Sequence, residues 1–319
     1  MNETAFVSAA LRVAGGQGVF GSGGKDSALL AAWSAHPLTE RAHNRVVQYD
    51  LLAADGTELR CVGKFYEHEE SAVRAARVLR ALSAAGGVVS PRALAYDAWR
   101  RLLLVTHEAG EPLTPALGAD DGPVASAVAR ALAALHAIPP TVIADRVIRA
   151  ATVWNELRFR VAELQTSLPG STGPLRGRLA ELRRDLPFDP PVLSFVHGDF
   201  GPANLLWNGR DVVVLDFDRC ALGDPALDLG TLFTQLRRSA LRAPARVPNF
   251  AALRERVLDA YGRADPELDR RVAWYEGAVL IRKIHRLALD TTRHTRPDRI
   301  RQRRAEAVRL LEESHAPSG

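Results

Sequence analysis

Asp199 and Asn204 stand five residues apart in the segment Ser194-Phe195-Val196-His197-Gly198-Asp199-Phe200-Gly201-Pro202-Ala203-Asn204. A further acid, Asp216, closes the apolar run Val212–Leu215, and Asp218 follows two residues later. These residue types at this spacing suit phosphoryl transfer. That reaction asks little covalent help of a protein; it needs a placed metal, an oriented nucleophile and neutralised phosphate charge. On a tight loop, an Asp can accept the proton of an attacking hydroxyl while an Asn amide oxygen binds metal. A second Asp just past an apolar strand can bridge metal and phosphates. Carboxylate and amide oxygens are the hard ligands that Mg²⁺ prefers. Between Asn204 and Asp216 there is room for one hairpin, Leu205–Trp207 with Asp211–Leu215, turned at Asn208-Gly209. Such a hairpin presents both metal ligands at one end.

The run His197-Gly198-Asp199 to Asn204, then Leu215-Asp216-Phe217-Asp218, then Gly223-Asp224-Pro225-Ala226-Leu227-Asp228-Leu229 resembles the aminoglycoside phosphotransferase and choline-kinase-like family, relatives of the protein kinases. Three linked blocks in order make the match specific. The resemblance implies an α+β, protein-kinase-like bilobal fold, with a small N-terminal antiparallel sheet lobe carrying one helix and a larger, mainly helical C-terminal lobe. It implies an ATP- and Mg²⁺-dependent enzyme that phosphorylates a hydroxyl of a small molecule, an aminoglycoside or other antibiotic among the family's acceptors. Asp199 maps to the catalytic base, Asn204 and Asp216 to the Mg²⁺ ligands, and Asp218 to an auxiliary one. His197 and Asp228 correspond to residues that brace the loop. His136, at a family-like helix end, is given no chemical role.

The N-terminal half agrees. Cys61-Val62-Gly63-Lys64-Phe65-Tyr66 resembles the lysine strand of this superfamily, so Lys64 is the expected contact to the α- and β-phosphates. Lys25, Lys64 and Lys283 are the only lysines among 42 Lys and Arg residues, a skew that looks like coding bias. A compact ammonium retained in this strand is therefore informative. For its carboxylate partner the choice is Glu69, with Glu70 and Glu67 as alternatives, because no Glu stands near Ala72 or Ala75, where the family places it. Leu102–Gly110 resembles the strand and hinge that hold adenine through backbone groups of Val105, Thr106 and His107. The phosphate-covering loop is placed at Leu38–Asn44, which departs from the family in having no glycine.

The elements that must position these groups follow from periodicity. Arg45–Leu52 and Glu58–Tyr66 read as strands joined at Asp55-Gly56. Glu69–Ala84 reads as a helix with Ala72, Ala76, Leu79 and Leu82 on one face, ended by Gly86-Gly87. Pro91–Tyr96 and Leu102–Thr106 form another strand pair. After Gly110 the pattern is helical: Val124–Ala137, Ala151–Leu168, Leu175–Leu186, Pro225–Arg238, Phe250–Gly262, Pro266–Asp290 and Arg301–Ser314, broken by the strand-rich 191–217. Asp224-Pro225 and Asp265-Pro266 each put a capping carboxylate before a first-turn proline. The expected lobes are 1–108, for nucleotide, and 109–319, for catalysis and acceptor. Residues 1–40 form an N-terminal extension with a helix-like Ser27–Ser34.

Composition bounds the rest. The 319 residues, 47% hydrophobic and 25% charged, have the profile of a globular protein with a substantial core. No apolar run is long enough to span a bilayer, and Met1-Asn2-Glu3 opens no signal-peptide pattern, so the expectation is a cytoplasmic protein without membrane partners. The net charge of +5 is spread along the chain, which argues against nucleic acid as partner. Two distant cysteines, Cys61 and Cys220, read as reduced thiols. Oligomeric state is not legible. Two other functions compete. One is a non-catalytic nucleotide-binding regulatory module on the same fold. The other is an ATP pyrophosphatase built on the loop Ser22-Gly23-Gly24-Lys25-Asp26-Ser27, which would need a parallel strand before it.

Overall fold

The computed structural model describes residue 7 and residues 30–313, except 42–43, 54–55, 57, 120, 144, 168–172, 188–192, 263–264 and 290–296. The Ser22–Ser27 loop, Asp55 and Asp290 lie outside the described residues. The chain divides into two compact units, Met1–Glu111 with Leu206–Asp218, and Pro112–Leu205 with Arg219–Gly319.

The first unit is built on an antiparallel sheet of β1 (Leu30–Arg41), β2 (Asn44–Ala53), β3 (Glu58–Tyr66), β4 (Ala93–Asp97) and β5 (Leu102–Thr106), in the order β1-β2-β3-β5-β4. Its pairings all run antiparallel, so this is not the parallel scaffold that an ATP pyrophosphatase loop requires. Alternate residues of β2 and β3 point to one face, and Val47, Tyr49, Leu51, Cys61, Leu102 and Leu104 form its core. Burial, then the Asp50 charge, pushes the Cys61 thiol up to about 12. Both cysteines are free and buried.

One sequence expectation changes here. Residues 30–34 of the helix-like Ser27–Ser34 are strand, and Leu38–Arg41 is the end of β1. The reason is tertiary: β1 pairs along β2 from Leu30↔Ala53 to Arg41↔Asn44, and that ladder overrides a local alanine-rich preference.

Helix α1 (Glu69–Ala85) buries Ala72, Ala76, Leu79 and Leu82, the face that the spacing predicts. Each of the two leucines contributes about 2 kcal/mol by leaving water. Gly86, at φ 69°, stops the helix in a conformation that L side chains resist. The hairpin strands are Leu205–Trp207 and Val212–Val214. Asn208 Oδ1 accepts from the amides of Arg210 and Asp211, at 3.0 and 2.8 Å, and Gly209 supplies φ 93°. The Val214 amide donates to the Val89 carbonyl at 2.8 Å, which fixes the hairpin within the first unit.

The second unit is mainly helical: α2 (Leu113–Ala119), α3 (Asp121–His136), α4 (Ala150–Ser167), α5 (Gly173–Arg184), α6 (Ala226–Arg242), α7 (Phe250–Tyr261), α8 (Leu268–Leu289) and α9 (Pro297–Glu313). Helices α6 and α8 approach closely at Gly230, where a Cβ would come within 2.7 Å of the Tyr275 Cβ. The capping carboxylates behave as the sequence predicts: Asp224 Oδ1 accepts from the Ala226 amide and Asp265 Oδ1 from the Glu267 amide. Arg271, itself buried, bridges the two aspartates. A small sheet orders Val147–Ile148, Ala221–Gly223 and Ser194–Val196, and its last strand leads into the segment that begins at His197. Among the described residues no helix is long and apolar enough to cross a membrane.

Candidate active site

In the second unit the site grows from a clamped loop. Strand Ser194–Val196 ends at His197, and the backbone turns at Gly198 with φ 76°. A Cβ there would lie 2.4 Å from the Arg219 carbonyl, so only glycine fits. The fully buried Asp228 holds this turn. Its Oδ2 accepts from the His197 amide at 2.7 Å and its Oδ1 from the Gly198 amide at 2.9 Å. His136 Nε2 lies 3.2 Å from Asp228 Oδ2, and its Nδ1 lies 2.8 Å from the Tyr261 hydroxyl. A carboxylate can only accept, so in the neutral ring Nε2 carries the proton and Nδ1 accepts from Tyr261. Burial, then the Asp228 and Asp224 charges, raises the Tyr261 phenol to about 12, which keeps it a donor. His197 is buried, and its Nδ1 accepts from the Asp199 amide at 3.3 Å.

Asp199 emerges from this frame with its side chain 35% exposed. Gln235 Nε2 is 3.4 Å from Oδ1, and Arg219 Nε is 3.9 Å from Oδ2. Asn204, at the end of the short helical turn Pro202–Asn204, donates its Nδ2 to the Asp199 carbonyl at 3.0 Å. That bond uses the amide nitrogen and leaves the Asn204 oxygen as the acceptor end.

In the first unit, Lys64 pairs with Val46 on one side and Leu103 on the other, at the centre of the sheet. Its ammonium lies 2.6 Å from both Asp216 Oδ1 and Asp218 Oδ2. The Tyr66 hydroxyl donates to Asp218 Oδ1 at 2.9 Å. Burial holds the Asp218 carboxyl above the ordinary carboxylate range, against the opposing pull of Lys64. Asp216 takes φ 64°, a left-handed conformation uncommon outside glycine and asparagine. Glu69 is exposed in the first turn of α1, and among the described residues the carboxylates bonded to Lys64 are the two aspartates.

Of the expected hinge, Val105 sits in the ladder opposite Val62 and Ala93. The Thr106 amide is engaged by the Arg92 carbonyl at 3.0 Å, while its hydroxyl accepts from the Arg92 amide and donates to Glu108. His107 follows the end of the ladder.

Sequence reasoning missed Tyr66, Tyr261 and Gln235, whereas His136, named there without a chemical role, is the hydrogen-bonded neighbour of Asp228. Only Tyr66 left a signal, because it lies two residues past Lys64 and so on the same strand face.

In the first unit, Asp216 and Asp218 already hold one cation between them, and their hard carboxylate oxygens fit a magnesium ion. In the second unit, Asn204 keeps a hard amide oxygen as its acceptor end. Mg²⁺ takes one or two carboxylates with phosphate and water rather than an all-protein cage.

An antiparallel sheet unit with its lysine strand, a mainly helical unit with its clamped aspartate loop, and the α+β order of the two define a protein-kinase-like fold. The sequence model of the phosphotransferase enzyme family matches residues 34–275, so the chain belongs to that family of enzymes. Among solved structures it is similar to macrolide 2'-phosphotransferase MphH from Brachybacterium faecium, at 22% identity and TM-score 0.57, over 90% of this chain and 93% of that one. Aminoglycoside phosphotransferase APH(4)-Ia, as a thermostable mutant in ternary complex with AMP-PNP and hygromycin B, is similar at 16% identity and TM-score 0.63, over 91% and 96%. A choline/ethanolamine kinase family protein from Mesorhizobium loti follows at 19% identity and TM-score 0.58, over 96% and 95%. No curated protein sequence matches the chain.

Proposed function

We propose that the chain is an ATP- and Mg²⁺-dependent kinase that moves the γ-phosphate to a hydroxyl of a small molecule in the cytoplasm. The observation that carries this reading is Asp199. It is a carboxylate left partly open to solvent on a loop whose backbone is locked by the buried Asp228. A base so held can take the acceptor's proton while its position stays fixed. As the acceptor oxygen bonds to the γ-phosphorus, the bond to the bridging oxygen breaks, ADP leaves, and the proton passes to Asp199. Asn204 and Asp216, assisted by Asp218, hold the magnesium. That ion would neutralise phosphate charge. Lys64 meets the α- and β-phosphates by exchanging aspartate for phosphate oxygens; Glu69, exposed on α1, is the alternative to the two aspartates as partner of its charge. Backbone groups of Val105, Thr106 and His107 face adenine; since the Thr106 amide is engaged by Arg92, His107 carries the donor role. Residues 1–108 thus serve nucleotide binding and 109–319 catalysis and acceptor binding. The similar solved structures include antibiotic phosphotransferases, which places antibiotics among the acceptors to be tried.

The test is transfer of labelled γ-phosphate to a panel of antibiotics, sugars, nucleosides and amino alcohols. Asp199→Asn is expected to slow transfer about 10²- to 10⁴-fold while thermal unfolding stays unchanged. Transfer at the original rate in that variant removes Asp199 as base.

A further inference from the structure

The second unit contains a cleft of about 1010 Å³ that opens beside Asp199 and Gly198. Its walls come from α4, α6 and α8 together with Arg146–Ile148 and Arg219. Among the described residues, seven arginine and lysine side chains line it, against two carboxylates, Glu156 and Asp199. The described lining therefore carries a marked surplus of positive charge. An arginine-rich composition does not produce such a concentration by itself.

Part of that charge is internally matched. Glu156 takes Arg160 and Arg282, at 2.6 and 2.5 Å, and Arg238 bonds to Glu306. The centre of the remaining field is Lys283. It lies three residues before Arg286 on α8, so the two share a helix face. Among the described residues no carboxylate lies within ion-pair distance of its ammonium. Burial, then Arg286 and Arg238, pulls the Lys283 amine down to about 7, with Glu306 and Asp199 opposing. An ammonium flanked by guanidinium groups, with no carboxylate among the described residues at ion-pair distance, is a seat for an oxyanion. The acids Asp269 and Glu276 of α8 offer no seat for an amine here. Glu276 is bonded to Arg254 at 2.9 Å, and neither it nor Asp269 lines the cleft. A polyamine acceptor would meet like charge on three walls.

We propose that the acceptor is an alcohol carrying an oxyanion, a carboxylate or a phosphate, seated by Lys283 with Arg286 beside it on α8 while its hydroxyl meets Asp199. The proposal rests on the phosphotransfer reading of Asp199. Lys283 is a positioning residue in it, because the anion it holds is not the reacting group.

The chain's three lysines make the test direct. The full-length protein is acylated at pH 7 and constant ionic strength with a neutral acetylating ester, and Lys25, Lys64 and Lys283 are followed separately by mass spectrometry. Competitors are matched sets: glycerate, glycerol 3-phosphate, glycerol and serinol; glucuronate, glucose 6-phosphate, glucose and glucosamine. An anion that raises the Lys283 pKa by one unit lowers its free-amine fraction from about half to about a tenth, so acylation slows roughly fivefold. The expected result is that slowing at Lys283 with the acids and not with the neutral or amine members, with Lys25 unaffected. Comparing the carboxylate and phosphate members tells which oxyanion the seat prefers. Equal protection by amines, protection of all three lysines alike, or no protection by any acid overturns the proposal. MgATP serves as the separate arm. It should protect Lys64 and leave Lys283 reactive, and failure there counts against the kinase reading without touching the anion seat. Lys283→Met, in turn, should raise the KM of whichever acid is phosphorylated about tenfold or more while kcat moves less, a split that loss of structure would not give.

Discussion

Two carboxylate-centred clusters in this protein use their charge in opposite ways. Asp228 is wholly buried, and its oxygens are filled by two backbone amides and a histidine, which is itself tied to Tyr261. Asp216 is 43% exposed, stands in a left-handed conformation, and shares the Lys64 ammonium with Asp218. The first cluster satisfies every donor that it buries, which is what a structural brace requires. The second concentrates charge on strained backbone, where it is available for exchange with a ligand. The difference teaches that aspartates a few residues apart in the sequence divide into those that hold backbone and those that leave their charge available to a ligand.

That division can be broken by substitution. The largest expected effect is that of Lys64→Met, which should lower kcat/KM about 10²- to 10³-fold by removing a preorganised charge, with the thermal midpoint not lowered. A fall in stability instead would move Lys64 into the bracing class. Asp228→Ala should do the reverse. Two buried amides lose their acceptor, at about 1–3 kcal/mol each, and urea unfolding should register the loss. Tyr261→Phe removes one hydrogen bond and should cost about 1 kcal/mol. It also carries a pH signature. Tyr261 ionises near 12 in the folded chain and near 10 in the unfolded one. The unfolded state therefore loses this proton first, and stability falls as pH rises between those values. The Phe variant should flatten that stretch of the curve. The smallest effect sharpens the identity of the Lys64 partner. With two aspartates on the ammonium, Glu69→Gln should change the rate by less than about twofold, as for an exposed charge. A drop of tenfold or more would instead establish Glu69 as the partner during turnover.

What the sequence disclosed follows a physical rule. The segment from His197 to Asp228 carries its chemistry at short, fixed spacing, and α1 shows its buried face in Ala72, Ala76, Leu79 and Leu82. Strand β3 matches its expected limits, Glu58–Tyr66. Such features depend on neighbours a few residues away. Strand β1 was hidden because only β2 makes it a strand. Lys64 and its aspartates are 152 and 154 residues apart, and His136 and Tyr261 are 125 apart. Nothing local announces such meetings. The positive charge around Lys283 was only partly visible: Arg282 and Arg286 share its helix, but Arg146, Arg160, Arg219 and Arg238 come from elements far apart in the chain.

The backbone at Asp216 has a bearing on how the proposed magnesium site could be lost. Asparagine tolerates a left-handed φ about as readily as aspartate does, and codons for the two differ by a single base. One transition can therefore silence the carboxylate and leave the hairpin undisturbed. A gene with that one letter changed would still encode a folded protein, indistinguishable in shape from its working ancestor.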